Sequence, residues 1–149
     1  MIGHPGPPGP PGPPGAPSLY QNATLPQSAF SVILGVNNPS VEKIIHFRQI
    51  IYNDQHHYST LTGLFTCAIP GVYQFSFLCT AYGAGDVDLM RNSKPVLHSF
   101  KFHHGGQYLS SGETVLKLVN GDTVWLETRN RTIGLSNKSF FSGHLLFTK

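Results

Sequence analysis

From Ser28 onward, apolar and polar residues alternate in short runs, and no window sustains the 3.6-residue period of a helix. The clearest run is Val72–Tyr82. Tyr73, Phe75, Phe77, Cys79 and Ala81 fall on one face and Gln74, Ser76 and Thr80 on the other, the period of a half-buried strand. Ala29–Leu34 is apolar and partly β-branched, and stops at Gly35 before an Asn37-Asn38-Pro39 turn. Ile44–Phe47 and Gln49–Tyr52 predict two short strands, Asn53–His57 a polar loop, and Thr62–Cys67 a strand halted by Ile69-Pro70-Gly71. Val87–Arg91 alternates and meets a tight turn at Asn92-Ser93. Lys94–Phe102 reads as one strand with Val96, His98, Phe100 and Phe102 on one face, and His103–Gly106 as a turn. Thr114–Val119 and Val124–Arg129, separated by Asn120-Gly121-Asp122, predict a hairpin. Phe140–Phe147 closes the series. About ten short strands joined by Gly, Pro and Asn turns predict an all-β sandwich or jelly roll.

Residues 3–17 follow another rule. Glycine occupies positions 3, 6, 9, 12 and 15, and proline fills most of the places between. A period of three with glycine is the collagen pattern, because only hydrogen fits on the axis of three wound polyproline-II chains. The run therefore predicts three chains. Five triplets are too few to hold three chains in register, so the segment after residue 17 is expected to nucleate the trimer. The expected organisation is a Gly-X-Y stub over 3–17, an aperiodic neck over 18–27 and a head over 28–149.

Composition sharpens this. Of the 149 residues 40% are hydrophobic and only 11% charged, against about a quarter charged in ordinary domains. So thinly charged a surface is expected to be covered in part by partner chains. The formal charge of +3 comes from scattered lysines and arginines, so nucleic acid is not an expected partner. No stretch reaches the ~18 apolar residues of a membrane span, so no membrane insertion is expected. Met1 and Ile2 lead directly into the triplets, so the sequence reads as a mature form or a fragment of a secreted, extracellular protein. Asn22, Asn130 and Asn137 head N-glycosylation sequons, whereas Asn38 is followed by proline and does not.

Several motifs occur in order: Ala29-Phe30-Ser31-Val32, His57-Tyr58, Thr62-Gly63-Leu64-Phe65-Thr66-Cys67, Pro70-Gly71-Val72-Tyr73-Gln74-Phe75, Gly121-Asp122-Thr123-Val124-Trp125-Leu126 and Phe141-Ser142-Gly143-His144-Leu145-Leu146. With the collagen stub before them, residues 28–149 resemble the globular head of complement component 1q and its relatives, which include short-chain network collagens and adiponectin-like secreted proteins. The resemblance implies a ten-stranded jelly roll, packed as a tight trimer and related to the tumour necrosis factor fold. Tyr73, Phe75, Phe77 and Trp125 would supply aromatic area to the core or to a three-fold seam.

Some members of that family bind calcium through clustered carboxylates. Here Asp86 and Asp88, at i and i+2 on one strand face, are the candidate ligands, and a three-fold axis could gather six such groups. The histidine pairs His56-His57 and His103-His104 read as loop residues rather than zinc ligands. Cys67 and Cys79 are expected to be buried free thiols. In a hairpin turning at Pro70-Gly71, Cys79 would lie roughly 20 Å past the partner of Cys67, beyond the ~7 Å span of a disulfide. No nucleophile elbow, zincin or phosphate-loop motif is present, and no enzyme is predicted. The expected function is a secreted homotrimeric or heterotrimeric recognition module binding an extracellular protein or receptor. Lys101, Arg129, Arg131 and Lys138 are its candidate contacts. The alternative is a short-chain collagen head that aligns chains for network assembly.

Overall fold

The computed structural model describes residues 3–13, 25–37, 43–83, 86–128 and 134–148, with the side chains of 100–104 excepted. Residues 3–13 carry no strand and are exposed throughout; the end of the triplet run and most of the neck, 14–24, lie outside the described residues. The described residues contain no helix. Ten strands follow in order: β1 (Ala29–Ile33), β2 (Gln49–Tyr52), β3 (Phe65–Thr66), β4 (Gly71–Ala81), β5 (Val87–Arg91), β6 (Lys94–His98), β7 (Phe100–His104), β8 (Gln107–Leu118), β9 (Thr123–Thr128) and β10 (Phe140–Thr148). They form a six-stranded sheet, β2-β1-β10-β4-β8-β7, and a four-stranded sheet, β3-β9-β5-β6, all pairs antiparallel. This is the jelly-roll sandwich that the alternation implied.

The core lies between the sheets and is mainly aromatic. β4 buries every odd position from Tyr73 to Ala81 while its even positions stay half-buried, as its period of two requires. The Phe30 ring stacks on Tyr58 at 5.1 Å and Phe65 at 5.3 Å and meets Phe141 edge-on at 4.9 Å, geometries that suit the ring quadrupole. Gly143 makes this possible: a Cβ there would stand 2.5 Å from Phe75 Cδ1 and 2.8 Å from Phe30 Cε1. β1 and β10 pair with Ala29 opposite His144, and the Leu145 amide donates to the Ser28 carbonyl at 2.8 Å, so the head begins and ends side by side.

The tight turn after β5 is as expected. Asn92 and Ser93 have φ of 50° and 70°, the paired positive values of a two-residue hairpin turn. Other expectations need correction. The predicted hairpin between 114–119 and 124–129 does not form: β8 pairs with β4 and β7, and β9 with β3 and β5. The Asn120-Gly121 turn (Gly121 φ +93°) carries the chain from one sheet to the other. The Gly121 amide donates to Cys67 O and the Cys67 amide to Asp122 O, both at 2.8 Å, which fixes the turn to the end of β3.

Lys94–Phe102 is likewise two strands in different sheets, divided at Ser99. The Ser99 amide donates to Val87 O at 3.0 Å and its hydroxyl oxygen accepts from the Val87 amide at 3.2 Å. The serine thereby satisfies the β5 backbone where pairing with β6 ends. His103 and His104 belong to β7, and the turn is Gly105-Gly106, both at positive φ. Ile44–Phe47 contributes one bridge, Ile44 to Glu127, and Thr62–Cys67 contributes only β3. Trp125 is buried beside its cross-strand neighbour Met90, on the face of β9 turned away from Val124 and Leu126 of the core.

Candidate interaction surface

The outer face of the six-stranded sheet is built by the even positions of β4 and their neighbours. Along its midline the contacts are neutral or locally paired: Ser76 Oγ lies 2.9 Å from Ser142 Oγ, and the Gln74 amide donates to the Glu113 carboxylate. Apolar side chains flank them. Phe140 is opposite Leu78, Phe147 opposite Val72, and Val115 opposite Gln74. Phe140, Leu146, Phe147 and Val115 are exposed, Val115 at 54%. At the sheet edge β2 exposes Ile50, Ile51 and Tyr52 in succession. Scattered apolar exposure is ordinary; a run of it across one sheet is the mark of an interaction surface.

Arg129, Arg131, Asn22 and Asn130 lie outside the described residues. Lys101 sits on β7, paired with Ser110, and Lys138 is exposed in the turn before β10; β4 and β8 separate these two strands, so Lys101 and Lys138 are not gathered into one patch. Asn137 is half-buried in that same turn. Its amide donates to Asn37 Oδ1 at 3.0 Å, and Ser139 of the sequon is buried with its hydroxyl oxygen accepting from the Thr80 amide.

Asp88 is buried on β5, opposite both His98 and Glu127, and its Oδ1 accepts from His98 Nδ1 at 2.9 Å. Asp86 precedes the strand and is half-buried. Among the described residues no three His, Cys, Asp or Glu side chains converge as a metal-holding group within this chain.

Beneath the entry to β1 lies a polar cluster that includes His57, which the sequence placed in a loop. Ser28, 3% exposed, places its hydroxyl 2.7 Å from His57 Nδ1. Nearby, Tyr73 OH donates to Ile69 O at 2.6 Å and Cys67 Sγ donates to the same carbonyl at 3.2 Å. Burial lowers the His57 pKa, helped by the neighbouring His56 charge, and raises that of Cys67. Burial also pushes Tyr73 up to about 12 and Cys79 up to about 12. Both cysteines are buried free thiols, although β3 and β4 lie in opposite sheets and form no hairpin. The Ser-His pair fastens the entry of β1 to the loop between β2 and β3. Only the isolated His57-Tyr58 motif hinted at it.

A family model described as the C1q domain matches residues 29–146. The mouse (Mus musculus) collagen alpha-1(X) chain is 38% identical over 130 residues, covering 82% of this chain and 19% of the relative. Human (Homo sapiens) complement C1q and tumor necrosis factor-related protein 9A is 37% identical over 137 residues, covering 86% and 41%. Bovine (Bos taurus) protein HP-25 homolog 2 is 38% identical over 126 residues, covering 82% and 59%. The chain thus spans less than two thirds of the length of these relatives. The solved globular domain of zebrafish complement 1qA superposes with a TM-score of 0.71 at 28% identity, covering 82% of this chain and 99% of that one. Murine APRIL at pH 8.0 shares the fold, with a TM-score of 0.64 at 12% identity over 81% of this chain and all of its own. On the C1q domain match, this chain belongs to the C1q domain family.

Proposed function

We propose that the chain is an extracellular recognition module that acts as a trimer, with the sandwich over 28–149 as its head and residues 3–17 as the start of a collagen-like stalk joined through 18–27. The observation that carries this reading is the apolar run across the outer face of the six-stranded sheet. In a chain with 11% charged residues, such a face is best explained by a second copy, or a related chain, packed against it. The triplet run asks independently for three chains. Gathering heads on a stalk would turn weak contacts with an extracellular protein or receptor into avidity. Lys101, Arg129, Arg131 and Lys138 remain the proposed contacts, and Asp86 with Asp88 the proposed calcium ligands at a three-fold axis.

Sedimentation of the full chain tests the reading. A particle near three times the 16.3 kDa chain mass is expected; a monomer at micromolar concentration, alone and with related chains, would refute it. Repeating the run with chelator tests calcium.

The collagen-like stub and the likeness to the collagen X chain favour a second reading, in which the head chiefly aligns chains for network assembly. Deleting residues 3–17 separates the two. A recognition head keeps its partner in a surface-binding assay, whereas a network head loses its assembly.

A further inference from the structure

At the end of the six-stranded sheet away from Val72, the last residues of β4 and the first of β8 border a cavity of about 360 Å³. Asn37, Thr80, Tyr82, Gln107 and Ser136 contribute to its lining. They supply two primary amides, two aliphatic hydroxyls and a phenol, groups that donate and accept hydrogen bonds and carry no charge near neutral pH. Tyr82 is 69% exposed, yet its ring is held from behind. Gly134, at φ +71°, lies so close that a Cβ there would stand 2.8 Å from Tyr82 Cδ2. The Tyr82 amide donates to Gly134 O at 3.3 Å and the Ser136 amide to Thr80 O at 2.8 Å, so the segment at 134–136 is laced to the end of β4.

We propose that this cavity binds a neutral saccharide unit, with the sugar ring on the Tyr82 face and its hydroxyls met by Asn37, Thr80, Gln107 and Ser136. A pyranose has a C–H face that rests on an aromatic ring and a rim of hydroxyls that both donate and accept. An anionic or cationic ligand would find no opposite charge among the described lining residues, and a purely apolar one would bury amides and hydroxyls without partners. An ordered polar lining with one aromatic face is the composition expected of a small-molecule site. Thr80 lies about 26 Å along β4 from Val72 at strand rise, so the site is separate from the Val72–Phe147 end of the proposed trimer surface and two positions from Leu78, which pairs with Phe140 at its other end. The sugar could arrive on a partner, or as the first residue of a glycan on Asn137, whose backbone amide Asn37 holds.

The test is saturation-transfer NMR on the full, unglycosylated chain with N-acetylglucosamine and methyl glucoside as probes. Transfer is expected in the millimolar range, with affinity falling about tenfold in Tyr82→Ala and more modestly in Gln107→Ala, while the sedimentation profile stays unchanged. Absence of transfer from both probes at high millimolar concentration, or transfer undiminished in Tyr82→Ala, overturns the proposal. A second arm compares secreted, glycosylated chain with its Asn137→Gln variant. Free sugar excluded from the first and bound by the second supports the chain's own glycan as occupant; equal binding supports a sugar from outside.

Discussion

Ser28 Oγ and His57 Nδ1 lie 2.7 Å apart, tying the residue that leads into β1 to the loop between β2 and β3. The Ala29 amide donates to Gln55 Oε1 at 3.1 Å and the Leu145 amide to Ser28 O, so the loop and β10 grip the same point. With Ser28 as donor this arrangement needs a neutral His57, and burial together with the His56 charge lowers its pKa below 6.5. The other ionisable groups near this cluster, Cys67 and Tyr73, are neutral at these pH values. His144, opposite Ala29, is exposed.

The sign follows from linkage. The unfolded chain protonates His57 near 6.5 while the folded chain resists. Stability is full above that pH, falls as pH drops below it, and levels once the folded histidine has also protonated. The thermal midpoint of the full chain should decline below about pH 6.5, and His57→Gln should show less of that decline. An identical pH profile in the variant would contradict the assignment.

Gly143→Ala should destabilise the head by about 1–3 kcal/mol, the range for overpacking a filled core. The added methyl would run into Phe75 and Phe30, both fully buried in a crowded aromatic cluster. Chemical denaturation would measure this, and a variant of unchanged stability would show that the rings have room to shift.

Val115→Asp bears on the outer face of the six-stranded sheet. The side chain is exposed in the single chain, so monomer folding should change by less than about 0.5 kcal/mol. The trimer should dissociate at concentrations where the parent remains assembled, as sedimentation would show. A trimer of unaltered affinity would move the interface away from this face.

Cys79 should resist alkylation in the native state at pH 8 and react at the rate of an ordinary thiol once unfolded. Its pKa is pushed up to about 12 by burial, so little thiolate exists to attack. Mass spectrometry after timed iodoacetamide treatment checks this. Rapid native labelling would mean that the cysteine side of β4 opens locally.

The strands were legible in the sequence wherever one face alone is buried. β4 could be read residue by residue because Tyr73, Phe75 and Phe77 alternate with Gln74 and Ser76. Sheet membership was not legible. Asn120-Gly121 is chemically a hairpin turn, and only its bonds to Cys67, more than fifty positions earlier, reveal a crossing between sheets. At Ser99 nothing in composition marks the change of sheet, because serine fits a strand and its decisive contacts are to Val87. The Ser28–His57 pair and the Tyr82 cavity were hidden for the same reason: each joins residues distant in the chain. The charged candidates rested on residue type alone, and the two whose positions are described, Lys101 and Lys138, stand on separate elements.

The pairing of Ala29 with His144 has a practical corollary for building with this head. Because β1 starts opposite His144, in the second half of β10, a reporter or tag placed after β10 would emerge on the side of the head where β1 begins. A short bridge between those neighbouring ends would make a circular permutant feasible, reopened at Gly105-Gly106, where a Cβ on either glycine would meet nothing within 4 Å among the described residues. Such a rearranged head would carry its cargo at the tip of the β7–β8 hairpin, away from the start of β1.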